Sequence, residues 1–273
     1  MNPNVKRSPK DIPVVILCGG KGTRFREQTE LRPKPMIEVA GQPILLHLMR
    51  FYAGFGHKRF ILCLGYKADY IKRYFLDYAA LQSNFTVKLN QPGHIEFHGG
   101  TLSDWEVTCV ETGIDAMTGA RLKRVAPFID TDDFLLTYGD GLADVDVSET
   151  LAFHRSHGKT ATVTGVRPQS RFGELVVDGD RVERFSEKPS VGQGYINGGF
   201  FVFKKSILNY VRDDDACVLE RDPLESVARD DQLMIFPHHG YWQCMDTLRD
   251  LERLEEAWNG GRAPWIRQNE EVR

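Results

Sequence analysis

Three glycines in four positions, within Cys18-Gly19-Gly20-Lys21-Gly22-Thr23-Arg24, follow directly on the apolar run Val14 to Leu17. With no Cβ in the way, such a turn lets backbone amides approach a polyanion. Ten residues further on, Lys34-Pro35-Met36 returns a cation. A guanidinium at Arg24 and an ammonium at Lys34, at one phosphate-sized locus, suit a triphosphate. Neither common phosphate fingerprint fits. A Walker loop needs Gly-x-x-x-x-Gly-Lys-Ser/Thr and a dinucleotide fold needs Gly-x-Gly-x-x-Gly opening a helix, whereas here the glycines lead into a charged loop. Alone they would also fit an ordinary strand-to-loop turn with solvated charges. The second cation favours the phosphate site.

Carboxylates stand in two further motifs. Asp140, in Thr137-Tyr138-Gly139-Asp140-Gly141, sits just past the apolar run Phe134 to Thr137, and in an open α/β sheet ligands bind at the carboxyl ends of strands. The alternative is a simple Gly-Asp-Gly turn. Asp246, in Trp242-Gln243-Cys244-Met245-Asp246-Thr247-Leu248-Arg249-Asp250, could hold a cation, cap a helix starting near Leu248, or do both. His94, Glu96 and His98 would share a face if that stretch is a strand, and two imidazoles with a carboxylate can bind zinc. A polar face on a projecting ribbon, at a subunit contact, is the favoured reading. Asp132, Asp133, Asp144 and the run Asp213 to Asp215 read as solvated loop charges, and His238-His239 as a loop feature without a role.

GGxGTR followed by PKPM resembles the signature of the sugar-phosphate nucleotidyltransferases. Met117-Thr118-Gly119-Ala120-Arg121-Leu122, Glu187-Lys188-Pro189 and Asn197-Gly198-Gly199-Phe200-Phe201 extend the match along most of the chain. The TYGDG, INGGFF and DTLRD runs point to the branch that couples CTP to glucose 1-phosphate; UTP, dTTP or a non-catalytic nucleotide-sugar-binding role are the alternatives. What the resemblance implies is attack of a sugar-1-phosphate oxygen on the α-phosphorus of the triphosphate, yielding CDP-glucose and pyrophosphate. A phosphate dianion is a competent nucleophile, so catalysis reduces to aligning two anions and neutralising the leaving group. By the same resemblance the nucleotide is held by Leu17, Cys18, Gly19, Gly20, Lys21, Gly22, Thr23, Arg24, Lys34, Met117, Gly119, Arg121 and Gly139. Arg24, Lys34 and Lys188 are the catalytic cations. Glu187, Lys188, Asn197 and Gly198 take the sugar phosphate, and Asp140 and Asp246 a magnesium ion, which needs only one or two carboxylates beside phosphate oxygens. Homo-oligomers, hexamers among them, are also implied. Cys18 replaces the usual alanine, making thiol sensitivity an expectation if it is exposed, and Cys244 stands where relatives more often carry proline.

The elements that must position these groups can be read coarsely. Val14 to Leu17 and Phe60 to Leu64 read as strands, Pro43 to Gly54 and Ala68 to Tyr78 as helices, an alternation that implies a mainly parallel, Rossmann-like sheet flanked by helices. From about Phe85 to Glu111 the period becomes two, through Phe85, Val87, Leu89 and then Trp105, Val107, Cys109, which suggests projecting antiparallel ribbons. A helix from Arg121 to Phe128 precedes the Phe134 strand. Ser148 to His157 is the next helix, and strands at Thr160 to Val166, Glu174 to Val177, Val182 to Phe185 and Phe200 to Phe203 build the sugar-binding part. A helix from Leu248 to Trp258 closes the chain. The division is a mobile extension over 1–11 and a single domain over 12–273, with a nucleotide-binding half to 147 and a sugar-binding half from 148.

Composition narrows the class. At 273 residues, with 41% hydrophobic content and a net charge of −3, the chain can bury a sizeable core and carries no global field for nucleic acid or an anionic membrane. No apolar run nears the roughly 20 residues that span a bilayer, and no signal peptide is evident, so a cytoplasmic protein is expected. Five cysteines without a CxxC argue against a disulfide framework or a structural zinc.

Overall fold

In the computed structural model, which describes residues 12–91, 93–99, 103–167, 174–178, 180–186, 194–261 and 263–266, Val14–Leu17 (β1) is buried along its whole length between two parallel neighbours. A continuous apolar tetrapeptide has no face to offer water, so it takes the middle of a sheet. With Arg59–Leu64 (β2), Glu106–Glu111 (β3), Asp133–Tyr138 (β4), Ala161–Val166 (β5), Ile196–Lys204 (β6) and Leu233–His238 (β7) it forms one seven-stranded sheet in the order β7-β5-β6-β4-β1-β2-β3. Within it β6 runs antiparallel to both neighbours and the other pairs are parallel. The chain winds outward from β1 through β2 to β3, then returns to lay β4 on the other side of β1. That reversal is a topological switch point, and the crevice beyond the carboxyl ends of β1 and β4 is where such a sheet accepts a ligand.

Helices cover both faces. Ile44–Ala53 (α1), Ala68–Leu76 (α2), Val147–His157 (α4) and Leu248–Asn259 (α6) bury Leu45, Leu48, Ile71, Leu151 and Leu254 against Val14, Ile16 and Leu135. Thr118–Arg124 (α3) and Asp222–Arg229 (α5) bury Ala120, Leu122, Leu224 and Val227 against Val15, Phe134 and Leu136 on the opposite face. Successive strand residues thus feed two separate cores, as the pleat requires. The fold is the mixed, mainly parallel α/β architecture that the alternation of elements implies.

Some elements depart from the sequence reading. The period-two run Trp105, Val107, Cys109 lies in no projecting ribbon; Val107 and Cys109 belong to β3, the edge strand parallel to β2. An edge strand covered on one face alternates as a ribbon does, so the pattern does not separate the two. The ribbon itself is the pair Asn84–Val87 and Ile95–His98. Helix α3 starts at Thr118, and Pro127 sits in a separate 3-10 turn, Ala126–Phe128, because proline disfavours helix in the residue before it. Strand β6 begins at Ile196, so Asn197 and Gly198 are part of the sheet. The tail carries core beyond α6: Trp265 is buried against His47 and Tyr241. Residues 1–11, Glu187 and Lys188 lie outside the described residues.

Candidate active site

A cleft of about 620 Å³ opens at the switch point, walled by the turn after β1, the ends of β4 and β6, the start of α3 and the segment before α6. The glycines of the turn do different jobs. At Gly19 a Cβ would stand 2.0 Å from Arg121 Nη1, so that position is glycine because a guanidinium passes over it. Gly22 has φ +61°, and Thr29 fastens the turn by donating from Oγ1 to the carbonyls of Gly22 and Phe25, each at 3.1 Å. Among the described residues no protein acceptor is found for the N–H groups of Gly20, Lys21 and Gly22, a donor arrangement that suits an anion.

Two carboxylates far apart in sequence meet on the opposite wall. Asp140 follows β4, and Gly141–Ala143 pairs antiparallel with Trp242–Cys244. The Met245 N–H extends that ladder to the Asp140 carbonyl at 2.8 Å, which carries Asp246 to its partner. Lys34, in the turn Lys34–Met36, places Nζ 2.6 Å from Asp140 Oδ2 and 2.6 Å from Asp246 Oδ1. Arg24 Nη1 lies 3.1 Å from Asp246 Oδ2. Burial works against the charge on both partners and is outweighed: Asp140 and Asp246 hold the Lys34 ammonium above its ordinary value, and Lys34, then Arg24, hold the Asp246 carboxyl below the usual carboxylate range. The helix after Asp246 is capped by Thr247 in a capping box with Asp250, whose Oδ2 also accepts the Asp246 N–H at 3.1 Å. Asp246 is therefore no cap, and its carboxylate is given over to the cleft. Hard oxygens from two partly exposed carboxylates aimed at one cation fit what a magnesium ion requires.

The remaining predicted residues divide by position. Leu17, Cys18, Gly20, Thr23, Met117, Gly139 and Asn197 line the cleft. Arg121 reaches it too, but is buried and braced: Nη1 donates to the Leu64 carbonyl, Thr112 Oγ1 and the Gly113 carbonyl at 3.0, 2.9 and 2.7 Å, and Nη2 to the Gly19 carbonyl at 2.9 Å. Gly119 lies in the first turn of α3, where a Cβ would stand 2.6 Å from Cys217 Sγ. Lys21 is exposed and paired with Asp115 at 2.7 Å. Gly198 accepts Trp242 Nε1–H at 2.7 Å. Cys18 is buried and its thiol is pushed well up, first by burial, so the condition for thiol sensitivity is not met. His98 binds Thr86 on the exposed ribbon, and among the described residues no group of three or more His, Cys, Asp or Glu is placed to hold a metal. Sequence reasoning missed Tyr138, Thr118 and Trp242, which line the cleft, and Glu220 behind Tyr138. Tyr138, Thr118 and Trp242 each stand inside one of the motifs that carry a predicted site residue; Glu220 carries no such signal, since only the fold brings it there.

Comparison with known proteins agrees with this geometry. The family model described as Nucleotidyl transferase matches residues 13–243. The chain is 47% identical to glucose-1-phosphate cytidylyltransferase of Salmonella typhi over 92% of its own length and 97% of that protein. It is 41% identical to the probable glucose-1-phosphate cytidylyltransferase of Bacillus subtilis over 92% and 98%. Among solved structures, HddC from Yersinia pseudotuberculosis is 26% identical with a TM-score of 0.65, covering 90% of this chain and 99% of that one. With a sheet switch point, a glycine turn and paired carboxylates in one cleft, and with these matches along nearly its full length, the chain belongs to the nucleotidyl transferase family of enzymes.

Proposed function

We propose that the chain transfers CMP from CTP to α-D-glucose 1-phosphate, giving CDP-glucose and pyrophosphate. The observation that carries this reading is the convergence of Asp140 and Asp246 on Lys34 Nζ, opposite the Gly19–Arg24 turn. A phosphate dianion needs no base to attack, so the site has to align two anions and absorb charge. The turn's amides receive the triphosphate, Lys34 faces the transferring phosphoryl group, and Arg24, largely exposed at the mouth, meets the departing pyrophosphate. Asp140 and Asp246 would hold magnesium, which when bound neutralises charge on the phosphate oxygens. Arg121 serves the nucleotide by fixing the wall against which the base lies. Asn197 reads a sugar hydroxyl, with Lys188 and Glu187 completing that end by resemblance. Cytosine and glucose as the specific substrates are taken from what the relatives are named for.

The carboxylates give the direct test. Asp140→Asn and Asp246→Asn should each lower pyrophosphate release from CTP and glucose 1-phosphate by about a hundredfold or more while the unfolding transition is retained. Near-normal release in either variant removes that residue from the cation site. A homo-oligomer is proposed as well, supported by the exposed apolar side chains Phe85, Val87, Ile95 and Phe97 on the ribbon. Sedimentation velocity showing a monomer at micromolar concentration would refute it.

A further inference from the structure

Tyr138, the last residue of β4, has one proton to give. Its hydroxyl lies 2.5 Å from Glu220 Oε1 and 3.1 Å from Asn197 Nδ2. A carboxylate can only accept, so the phenol proton is committed to Glu220 and the phenol oxygen must accept from Asn197. The far end of the chain agrees. The Gly199 N–H, which can only donate, lies 2.8 Å from Asn197 Oδ1. Both ends therefore select the same one of the two amide orientations. Glu220 is itself anchored: Oε2 accepts from Thr118 Oγ1 at 2.6 Å, and that oxygen accepts the Leu219 N–H at 2.9 Å, tying the carboxylate to the first turn of α3. Burial, then the Glu220 charge, pushes the Tyr138 hydroxyl far above the ordinary phenol value, so it keeps its proton.

We infer that Glu220, which does not itself line the cleft, is a positioning residue for the sugar: it sets the polarity of the relay Glu220, Tyr138, Asn197, and so the face that the Asn197 amide turns to the substrate. With Oδ1 engaged by Gly199 and one Nδ2 proton by Tyr138, Asn197 presents its other Nδ2 proton to the cleft, a donor for the oxygen of a neutral sugar hydroxyl. Without Glu220 the Tyr138 proton is free to point at Asn197, the Nδ2 end of the amide loses its acceptor, and the Gly199 N–H alone is left to hold the donor toward the sugar. The inference rests on the reading that a sugar phosphate lies beside Asn197.

Steady-state kinetics on the full chain, with CTP and glucose 1-phosphate varied in turn, test it. Glu220→Ala should raise KM for glucose 1-phosphate roughly tenfold, the effect of one misdirected hydrogen bond, and KM for CTP by less than about twofold. Glu220→Gln keeps an oxygen for the phenol proton and should recover most of the loss. Tyr138→Phe should raise the same KM, and adding Glu220→Ala to it should change nothing more, because residues acting in series are not additive. Equal rises in both KM values, full additivity of the pair, or a Tyr138→Phe chain with unchanged glucose 1-phosphate KM would overturn the assignment, and the last outcome decides it even if Glu220→Ala does not fold. If the unmutated chain turns over no nucleotide with any sugar phosphate, the proposed function falls and this inference with it.

Discussion

Lys34 stands between two carboxylates that would otherwise repel each other, and its titration behaviour follows from that position. The Asp246 carboxyl lies below the usual range in the folded chain, so its pairing contributes stability that is fully present above about pH 3.9 and is lost as pH falls through the depressed value. Lys34 is raised, so its share is present below about pH 10.4 and is lost as pH rises through the elevated value. In Lys34→Met the carboxyl should move upward, and NMR titration of the Asp246 side chain would show it; an unmoved carboxyl would mean Arg24 alone holds it. Arg121 poses a different case, because its charge is spent on carbonyls of the chain. A lysine cannot span the Gly19, Leu64 and Gly113 acceptors with one point charge, so Arg121→Lys should cost about 2–4 kcal/mol in urea unfolding. A loss confined to nucleotide affinity would instead make Arg121 a ligand group and nothing more.

At the scale of elements, the carboxylate pair depends on a short ladder and a cap. Gly141–Ala143 with Trp242–Cys244 sets the register, and Asp250, buried in the first turn of α6, holds the Asp246 and Thr247 amides. Asp250→Ala should lower stability by about 1–2 kcal/mol and also reduce turnover, whereas a surface cap elsewhere would affect stability alone. Thermal unfolding paired with pyrophosphate release distinguishes the two. This is also where sequence reading reaches its limit. The glycine turn, Lys34, Asp140 and Asp246 are legible because each carries a charge or backbone demand within one motif. Their meeting is not, since it is set by a three-residue pairing across about a hundred positions. Val107 and Cys109 misled because a covered edge strand and a ribbon share a period of two. Strand β7 and helix α5 went unassigned: β7 alternates only partly buried and exposed residues, and α5 is a short helix opened by Pro223 rather than by a polar cap.

At the scale of the whole molecule, the sheet joins both sides of the cleft: β1 leads into the glycine turn and β4 into Asp140, while β6 brings Asn197 to the same edge. The interface of α4 with β5 holds a group that makes folding sensitive to acid. His154 is fully buried, with Nδ1 2.9 Å from Thr162 Oγ1, and burial, only partly opposed by Asp133, draws its pKa from the ordinary 6.5 to about 4. The neutral ring's contribution is whole above pH 6.5 and is lost as pH falls toward and through 4, on the order of 3 kcal/mol. Denaturant unfolding across pH 7 to 4 should show that slope and its reduction in His154→Gln; an unchanged slope would assign acid sensitivity to other groups. Pyrophosphate release measured across CTP, UTP, ATP, GTP and dTTP with several sugar 1-phosphates tests the proposed reaction most directly. Fastest turnover with CTP and glucose 1-phosphate is the predicted result, and a clear preference for another nucleotide, or no turnover with any pair, would contradict it.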